Sequence, residues 1–183
     1  MIEEVTLAGN VTLRPVTEHD AEALAAAYIR NRDHLRPWEP RRPAEFFTPD
    51  GQARRLKGLL DEQARGGAMA WVLADGDQVV GRMTLNGIVR GPFLNANLGY
   101  WIDAGYLGRG LATRGVVEVC RMADQDLGLH RVAAGTLLDN VASQSVLLKT
   151  GFESYGVAPR YLEIDGRWQD HRMFQRILNE RPA

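Results

Sequence analysis

The chain contains four predicted helical stretches, three of which repeat apolar residues at the spacing of one face of an α-helix, while the last covers roughly residues 141–150. They start after Thr17, after Thr48, near Ala112 and after Asn140, where a small polar residue or a glycine turn precedes the apolar repeat. The faces expected to be buried are Ala21, Leu24, Ala25, Tyr28 and Ile29 in the first stretch, Ala53, Leu56, Leu60 and Ala64 in the second, and Val116, Val117, Cys120, Ala123 and Leu127 in the third. A glycine follows each of the last three stretches, which favours a helix end there.

Runs rich in β-branched and aromatic residues predict seven strands along the chain. Residues 70–74 and 78–85 flank Asp75-Gly76, a pair that favours a tight hairpin turn. Residues 97–102 and 130–136 are joined through the third helix, so they must pair in parallel with a right-handed crossover. The remaining runs are residues 11–15 and two strands on either side of Asp165-Gly166. The expected fold class is α/β, with a mixed, mostly antiparallel sheet flanked by about four helices.

The segment between the first two helices carries three prolines within seven residues. Proline lacks a backbone donor and blocks a continuing helix, so a loop is predicted over residues 35–43. Trp38 lies in this loop and is expected to be exposed, as part of the wall of a substrate site.

Composition limits the partners that the chain can have. With 183 residues and a formal net charge of −1, it can bury a core as one domain over residues 1–183 and shows no bias towards nucleic acid or acidic membranes. The only cysteine, Cys120, excludes an intrachain disulfide, and the segment 1–4 lacks the features of a signal peptide. No apolar run approaches the roughly 20 residues of a membrane helix, and the histidines lack metal-ligand spacing. We expect a cytoplasmic monomer or homodimer without a bound metal.

Candidate chemistry begins at the glycine turn Gly105 to Ala112, which leads from a strand into a helix. The free N–H groups and the positive dipole end of such a helix suit a phosphate, and glycines let the backbone approach it. An ordinary turn between strand and helix has the same spacing, so the turn alone leaves both interpretations open. The chain contains no P-loop string, and the turn reads G-x-x-G-x-G rather than the G-x-G-x-x-G of a dinucleotide site.

Six motifs in order along residues 11–175 resemble the GNAT acetyltransferase superfamily, and within it the RimJ/RimL branch, in particular its RimJ-like members. The motifs are Asn31-Arg-Asp-His-Leu-Arg-Pro-Trp-Glu-Pro40, Leu98-Gly-Tyr-Trp-Ile102, Gly108-Arg-Gly-Leu-Ala112, Asn140-x-x-Ser143, Gly151-Phe152 and Tyr161-Leu-x-Ile-Asp-Gly-x-Trp-x-Asp-His171. The resemblance implies a GNAT fold whose parallel strand pair lies at the site of acetyl-coenzyme A.

The resemblance also implies which residues contact that cofactor. The backbone of Trp101, Ile102 and Asp103 is expected to pair with the pantetheine arm, and Asn140 to bond to the same arm or to serve only as a helix cap. N–H groups are expected to hold the pyrophosphate from Leu107, Gly108, Arg109, Gly110, Leu111, Ala112 and Thr113. Leu107 departs from the family's usual Gln or Arg, which should weaken a contact without removing the site.

Catalysis in this family is direct attack of an amine on the thioester, which needs an acid for the thiolate and a route for the amine proton. Leu147 occupies the position of the tyrosine that many members use as the acid, so the resemblance implies Ser143 instead. A serine that satisfies only the helix's first turn is the alternative. Glu163 and Glu39 are the candidate bases, although Glu163 is offset by one residue and Glu39 could be a solvated loop charge. Cys120, on the apolar face of its helix, is expected to be inert.

The resemblance implies an acceptor that is the N-terminal α-amine of a protein, possibly a ribosomal protein. Trp38, Glu39, Asn97 and Tyr161 are the residues expected to line the acceptor site. A small amine such as an amino sugar, polyamine or antibiotic is an alternative acceptor. A further alternative is a CoA-binding or ribosome-assembly module without catalysis.

Overall fold

The computed structural model describes residues 4–182 and contains eight strands and five α-helices over that range. The strands are β1 Val5–Ala8, β2 Val11–Pro15, β3 Ala68–Asp75, β4 Gln78–Val89, β5 Asn95–Ile102, β6 Arg131–Leu137, β7 Glu153–Ile164 and β8 Arg167–Ile177. The helices are α1 Ala21–Arg30, α2 Arg32–Leu35, α3 Pro49–Ala64, α4 Leu111–Gln125 and α5 Val141–Lys149. The expectation about a signal peptide concerns residues 1–4. Of these, residues 1–3 lie outside the described range.

All the strands belong to one sheet in the order β1-β2-β3-β4-β5-β6-β8-β7. Neighbouring strands are antiparallel except β5 and β6, which pair in parallel from Asn95 opposite Arg131 to Asn97 opposite Ala133. This confirms the predicted α/β class, the mixed sheet and the position of its parallel pair. Strand β1 was not predicted. It pairs with β2 across a turn in which Gly9 has a φ of 56°.

Helices cover both faces of the sheet and divide the core in two. On one face, α4 and α5 pack over a cluster that includes Leu98, Val116 and Leu147. On the other face, α1 and α3 pack over a cluster that includes Leu24 and Trp101. Consecutive residues of a strand point to opposite faces, so β5 contributes side chains to both clusters.

The predicted apolar faces of the helices needed correction at single positions. Ile29 is 58% exposed and Val117 is 43% exposed, whereas each was expected on a buried face. Each follows a residue that points at the core, Tyr28 and Val116, and one step along a helix rotates a side chain by about 100°. In α3 the predicted Leu56 is buried, while Ala53 and Ala64 are exposed.

Cys120 is in the core as predicted, at 1% exposure, and burial raises the pKa of its thiol to about 11. The proline-rich segment forms the predicted loop over residues 36–43, although Leu35 is the last residue of α2. Within residues 4–182, none of the helices has the length and apolar character that crossing a membrane requires.

Candidate active site

The glycine turn sits between the end of β5 and the start of α4, with Gly110 as the N-cap of the helix. Gly108 and Gly110 have φ angles of 75° and 73°, in the left-handed region that favours glycine. Among residues 4–182, no group accepts a hydrogen bond from the N–H groups of residues 108–113. These N–H groups and the positive end of the α4 dipole form the kind of surface that binds a phosphate.

A buried carboxylate fixes the entry to this turn. The Asp103 side chain is 4% exposed and accepts hydrogen bonds from Arg30 Nε (2.7 Å), Asn31 Nδ2 (2.7 Å) and the Gly105 N–H (2.8 Å). Asn31 Oδ1 in turn accepts from the Ala104 N–H at 2.9 Å. Burial by itself raises the pKa of Asp103, but these hydrogen bonds and the Arg30 charge outweigh burial and hold it below its ordinary value. The end of α1 therefore anchors the glycine turn.

Because the native pKa of Asp103 is lowered, its contribution to stability is present above the unfolded value of about 4 and is lost as the pH falls through the native value. We expect Asp103→Asn to reduce the free energy of unfolding by about 2 kcal/mol at pH 7, because the hydrogen-bonded charge is lost. Urea unfolding at pH 7 and at about pH 3 measures the difference. The control is Asp77→Asn, at an exposed residue of a turn. If Asp103→Asn lowered the free energy of unfolding equally at both pH values, this assignment would be contradicted.

A cleft opens between β5 and β6 next to the turn. Their parallel pairing stops at Asn97 and Ala133, although β5 continues to Ile102 and β6 continues to Leu137. Each strand remains paired on its other side, β5 with β4 and β6 with β8. The inner edges beyond the last parallel pair are therefore available to an extended ligand.

Backbone alternation decides which groups of β5 face this cleft. The Gly99 carbonyl accepts from Thr84 of β4, and the Asp103 N–H donates to the Val80 carbonyl of β4. Trp101, between them, lies opposite Arg82 of β4. The N–H and C=O groups of the even-numbered residues 98, 100 and 102 consequently face the cleft.

The predicted cofactor residues at the end of β5 thus have different environments. The Trp101 backbone faces β4, and its side chain is buried, with Nε1 donating to the Tyr28 hydroxyl at 3.2 Å. The Ile102 carbonyl oxygen faces the cleft and lies 3.2 Å from Nε2 of His34. The Leu107 side chain is 54% exposed at the start of the glycine turn.

Helix α5 begins beside the cleft with Asn140 and Ser143. Asn140 is the N-cap, and its Oδ1 accepts from the Ser143 N–H at 3.1 Å. The Ser143 hydroxyl does not satisfy the helix's first turn. It lies 2.8 Å from the hydroxyl of Tyr100, which comes from β5. The Tyr100–Ser143 pair therefore joins two elements on either side of the cleft.

Burial raises the pKa of Tyr100 to about 12, although the hydrogen bond with Ser143 partly opposes the shift. The phenol is therefore protonated throughout the physiological range and can donate to Ser143 Oγ. Sequence analysis named Ser143 but missed Tyr100. The alternation of side chains along the predicted strand 97–102 puts Tyr100 on the sheet face that α5 covers. No spacing in the sequence links Tyr100 to Ser143.

The opposite face of the sheet carries an open cavity of about 540 Å³ at the point where β5 and β6 separate. Asn97 and Ala133, the last parallel pair, contribute to its lining. Tyr161 of β7 also lines it and lies 5.4 Å, between ring centroids, from His171. The structure thus brings together Asn97 and Tyr161, two of the residues predicted for the acceptor site.

A second cavity of about 350 Å³ on this face is lined by Arg32, Arg36, Arg41 and Arg42, and is called the arginine cavity below. Glu39 lines it and has a pKa raised by burial, an effect that the nearby Arg42 charge only partly opposes. Glu39 is therefore not a solvated loop charge.

The remaining predicted residues are outside both cavities. Trp38 is 37% exposed in the proline-rich loop, as predicted, but does not line either cavity. Glu163 is exposed on β7 opposite Trp168, and it also lines neither. Of the two candidate bases, only Glu39 lines a cavity.

Residues 10–153 match the acetyltransferase (GNAT) domain family. The chain is 34% identical over 163 residues to the ribosomal protein uS5-alanine N-acetyltransferase of Escherichia coli (strain K12), covering 88% of this chain and 84% of that protein. Two solved structures are similar throughout. The ribosomal-protein-S5-alanine acetyltransferase of Vibrio fischeri has a TM-score of 0.93 at 32% identity, covering 98% of each chain. Mycobacterium smegmatis RimJ in complex with CoA-disulfide has a TM-score of 0.87 at 30% identity, covering 91% of this chain and 81% of that one.

Proposed function

This chain belongs to the GNAT family of acetyltransferases, and from that premise we propose that it transfers acetyl from acetyl-CoA to the N-terminal α-amine of a protein. A ribosomal protein is the proposed class of acceptor, because two relatives, at 34% and 32% identity, are named for acetylating one. The observation that carries the proposal is the cleft between β5 and β6, which runs from the free N–H groups of the glycine turn to the Tyr100–Ser143 pair.

The residues at the cleft fit coenzyme A. The free N–H groups of residues 108–113 match a pyrophosphate, and the glycines allow it to approach the backbone without a Cβ in the way. The backbone groups of Leu98 and Tyr100 can pair with the amides of the pantetheine arm. Asn140 remains the cap of α5, and its amide nitrogen, which has no hydrogen-bond partner among residues 4–182, can contact the arm as well. The similar Mycobacterium smegmatis RimJ was solved in complex with CoA-disulfide, which supports coenzyme A as the cofactor.

Bound acetyl-CoA supplies the thioester whose acyl carbon the amine attacks. Ser143 Oγ would deliver a proton to the leaving sulfur and regain one from solvent through the open cleft. With Tyr100 as the donor in their hydrogen bond, the serine's own hydrogen is free to point at the sulfur. The amine proton leaves towards Glu39, directly or through water, because its raised pKa makes it a better base than an ordinary carboxylate. Glu163, exposed on β7, has no part in this scheme.

An α-amine needs little help from a base. Its pKa near 8 leaves a substantial neutral fraction at neutral pH, whereas a lysine amine near 10.4 is less than about 1% neutral there. A base that acts through water, as Glu39 does in this scheme, is therefore sufficient for an N-terminal acceptor. The arginines around Glu39 also disfavour a polyamine, which would bring more positive charge into the same cavity.

Family membership argues against the non-catalytic module that the absent tyrosine at Leu147 had suggested. We further propose that residues 1–183 act as one domain, because both core clusters pack on a single sheet. The cytoplasm is the proposed location, since ribosomal proteins are made there.

The test is thiol release from acetyl-CoA with a panel of acceptors. We expect release with short peptides that begin with Ala or Ser, and only background release when the α-amine of the same peptide is blocked. The proposed acceptor would be overturned by thiol release with lysine-containing peptides whose α-amine is blocked. It would also be overturned if small amines supported release and peptides did not. A parallel series with longer and acidic acyl-CoAs tests the donor.

A further inference from the structure

The arginine cavity holds more positive charge than the acids around it can balance. Four arginines line it, against the two acids Glu39 and Asp165, in a chain whose formal net charge is −1. Arg41 pairs with Asp165 at 3.3 Å, and Arg42 lies 3.6 Å from Glu39, which is longer than a hydrogen bond. Within residues 4–182, Arg32 and Arg36 form no ion pair. Two guanidinium groups are thus left without a counter-charge.

Two further observations concern the cations beside this cavity. Arg42 Nε is buried and has no hydrogen-bond partner in the described part of the chain. The pKa of the adjacent Arg55 is lowered, first by burial and then by the charges of Arg42 and Arg82. The positive charges of Arg42 and Arg82 thus contribute to the lowered pKa of Arg55 after burial, and an anionic ligand would stabilise such a group of cations.

The walls favour a small group over a polymer backbone. Phe46 and Phe47 form one side. Arg32 Cζ lies 4.6 Å from the centroid of the Phe47 ring, and Arg42 Cζ lies 4.8 Å from that of the Phe46 ring. These contacts hold two guanidinium groups against the aromatic wall, and the planar guanidinium matches the two oxygens of a carboxylate. A cavity of about 350 Å³ suits one or two side chains, whereas nucleic acid needs a long open stripe of charge.

The cavity is joined to the acceptor side of the cleft. The Asp165 N–H donates to the Glu39 carbonyl at 3.2 Å, so the turn between β7 and β8 bridges to the proline-rich loop. Tyr161 of the same hairpin lines the open cavity at Asn97. A peptide whose N-terminus lies at the cleft would therefore pass this bridge within its first few residues.

We propose that the arginine cavity binds acidic side chains that follow the acceptor's N-terminal residue, with Arg32 and Arg36 as the principal contacts. This inference rests on the proposed transfer to a peptide α-amine. It adds the recognition of acidic residues near the start of the acceptor.

The experiment compares peptides that begin with Ala and differ only in carrying Glu or Gln at their third and fourth positions. We expect kcat/KM to be about tenfold higher for the Glu peptide, mainly through KM, since charge-assisted contacts hold the ground state and the transition state equally. The preference should decline as salt screens the charges. Equal kcat/KM for the two peptides would overturn the subsite and leave the proposed function intact.

Variants assign the effect to the cavity. Arg32→Gln combined with Arg36→Gln should reduce the preference to within about twofold, with kcat for the Gln peptide unchanged. The control is Arg65→Gln, an exposed arginine at the end of α3 that is paired with Glu62. It should keep the full preference. If the double variant also kept it, the cavity would not be the source of the preference.

Two further results distinguish the proposed anion subsite from the proposed peptide acceptor. If no peptide reacts but small carboxylate-bearing amines react faster than their amides, and the double variant removes that difference, the anion subsite stands and the peptide acceptor is wrong. If single-stranded RNA inhibits in competition with the Glu peptide and binds more weakly to the double variant, the cavity is a nucleic-acid contact and the proposal is overturned.

Discussion

Gly110→Glu is expected to weaken coenzyme A binding at least about 100-fold, because it places a carboxylate where the free N–H groups of α4 meet the pyrophosphate. Two like charges about 4 Å apart near a protein surface repel by roughly 4 kcal/mol. The added side chain also needs the left-handed backbone at a φ of 73°, which costs roughly 1 kcal/mol of stability. Calorimetric titration with coenzyme A measures the affinity, and thermal unfolding measures the strain.

Gly128→Glu is the matched control, because Gly128 has a φ of 64° and lies past the other end of α4. It should show the same loss of stability with unchanged coenzyme A binding. Gly110→Ala separates strain from charge and should retain most of the affinity. An unchanged affinity in Gly110→Glu would remove the glycine turn from the cofactor site.

Ser143→Ala is expected to lower kcat about 100-fold, because the leaving thiolate loses its proton donor. The KM for acetyl-CoA should change much less, since the backbone contacts of the cofactor remain. Steady-state kinetics with a saturating Ala-initiated peptide measures both constants.

The control is Ser145→Ala, the same substitution at another serine of α5, which should leave kcat unaltered. Tyr100→Phe keeps the ring but removes the hydroxyl that lies 2.8 Å from Ser143 Oγ. We expect an intermediate loss of kcat, about tenfold, because the serine keeps its proton but loses its orientation. Full activity in Ser143→Ala would show that another group protonates the sulfur.

The local parts of this site could be predicted from the sequence. Gly108 and Gly110 adopt the positive φ that a glycine turn before a helix requires, and Asn140 caps α5 as its residue type favours. The parallel pairing at Asn97 follows from the order of strand, helix and strand. In each case neighbours along the chain determine the conformation.

Contacts between distant residues could not be predicted in the same way. The Tyr100–Ser143 pair spans 43 positions, and the Arg30–Asp103 pair spans 73. Asp103 was expected to contact the cofactor through its backbone, and nothing in its neighbourhood along the chain indicates that its carboxylate binds the end of α1. Such pairs depend on how helices cross the sheet, which hydrophobic periodicity leaves open.

The two candidate bases illustrate the same limit. By sequence, Glu39 lies in a loop and Glu163 in a strand, and the one-residue offset of Glu163 left open which face of the strand it is on. In the fold, the proline-rich loop turns back to the Asp165 turn and half-buries Glu39 beside Arg42, whereas Glu163 stays exposed. The environment of each carboxylate therefore depends on the contact between loop and hairpin.

The central claim is transfer of acetyl to a peptide α-amine, and the position of the acetyl group on one acceptor tests it most directly. The acceptor is a short peptide that begins with Ala, carries Glu at its third and fourth positions and has one internal lysine. After incubation with acetyl-CoA and this enzyme, fragmentation mass spectrometry locates the added group. We predict a single acetyl on the N-terminal nitrogen. Acetylation of the lysine, or an unmodified peptide despite coenzyme A binding, would contradict the account.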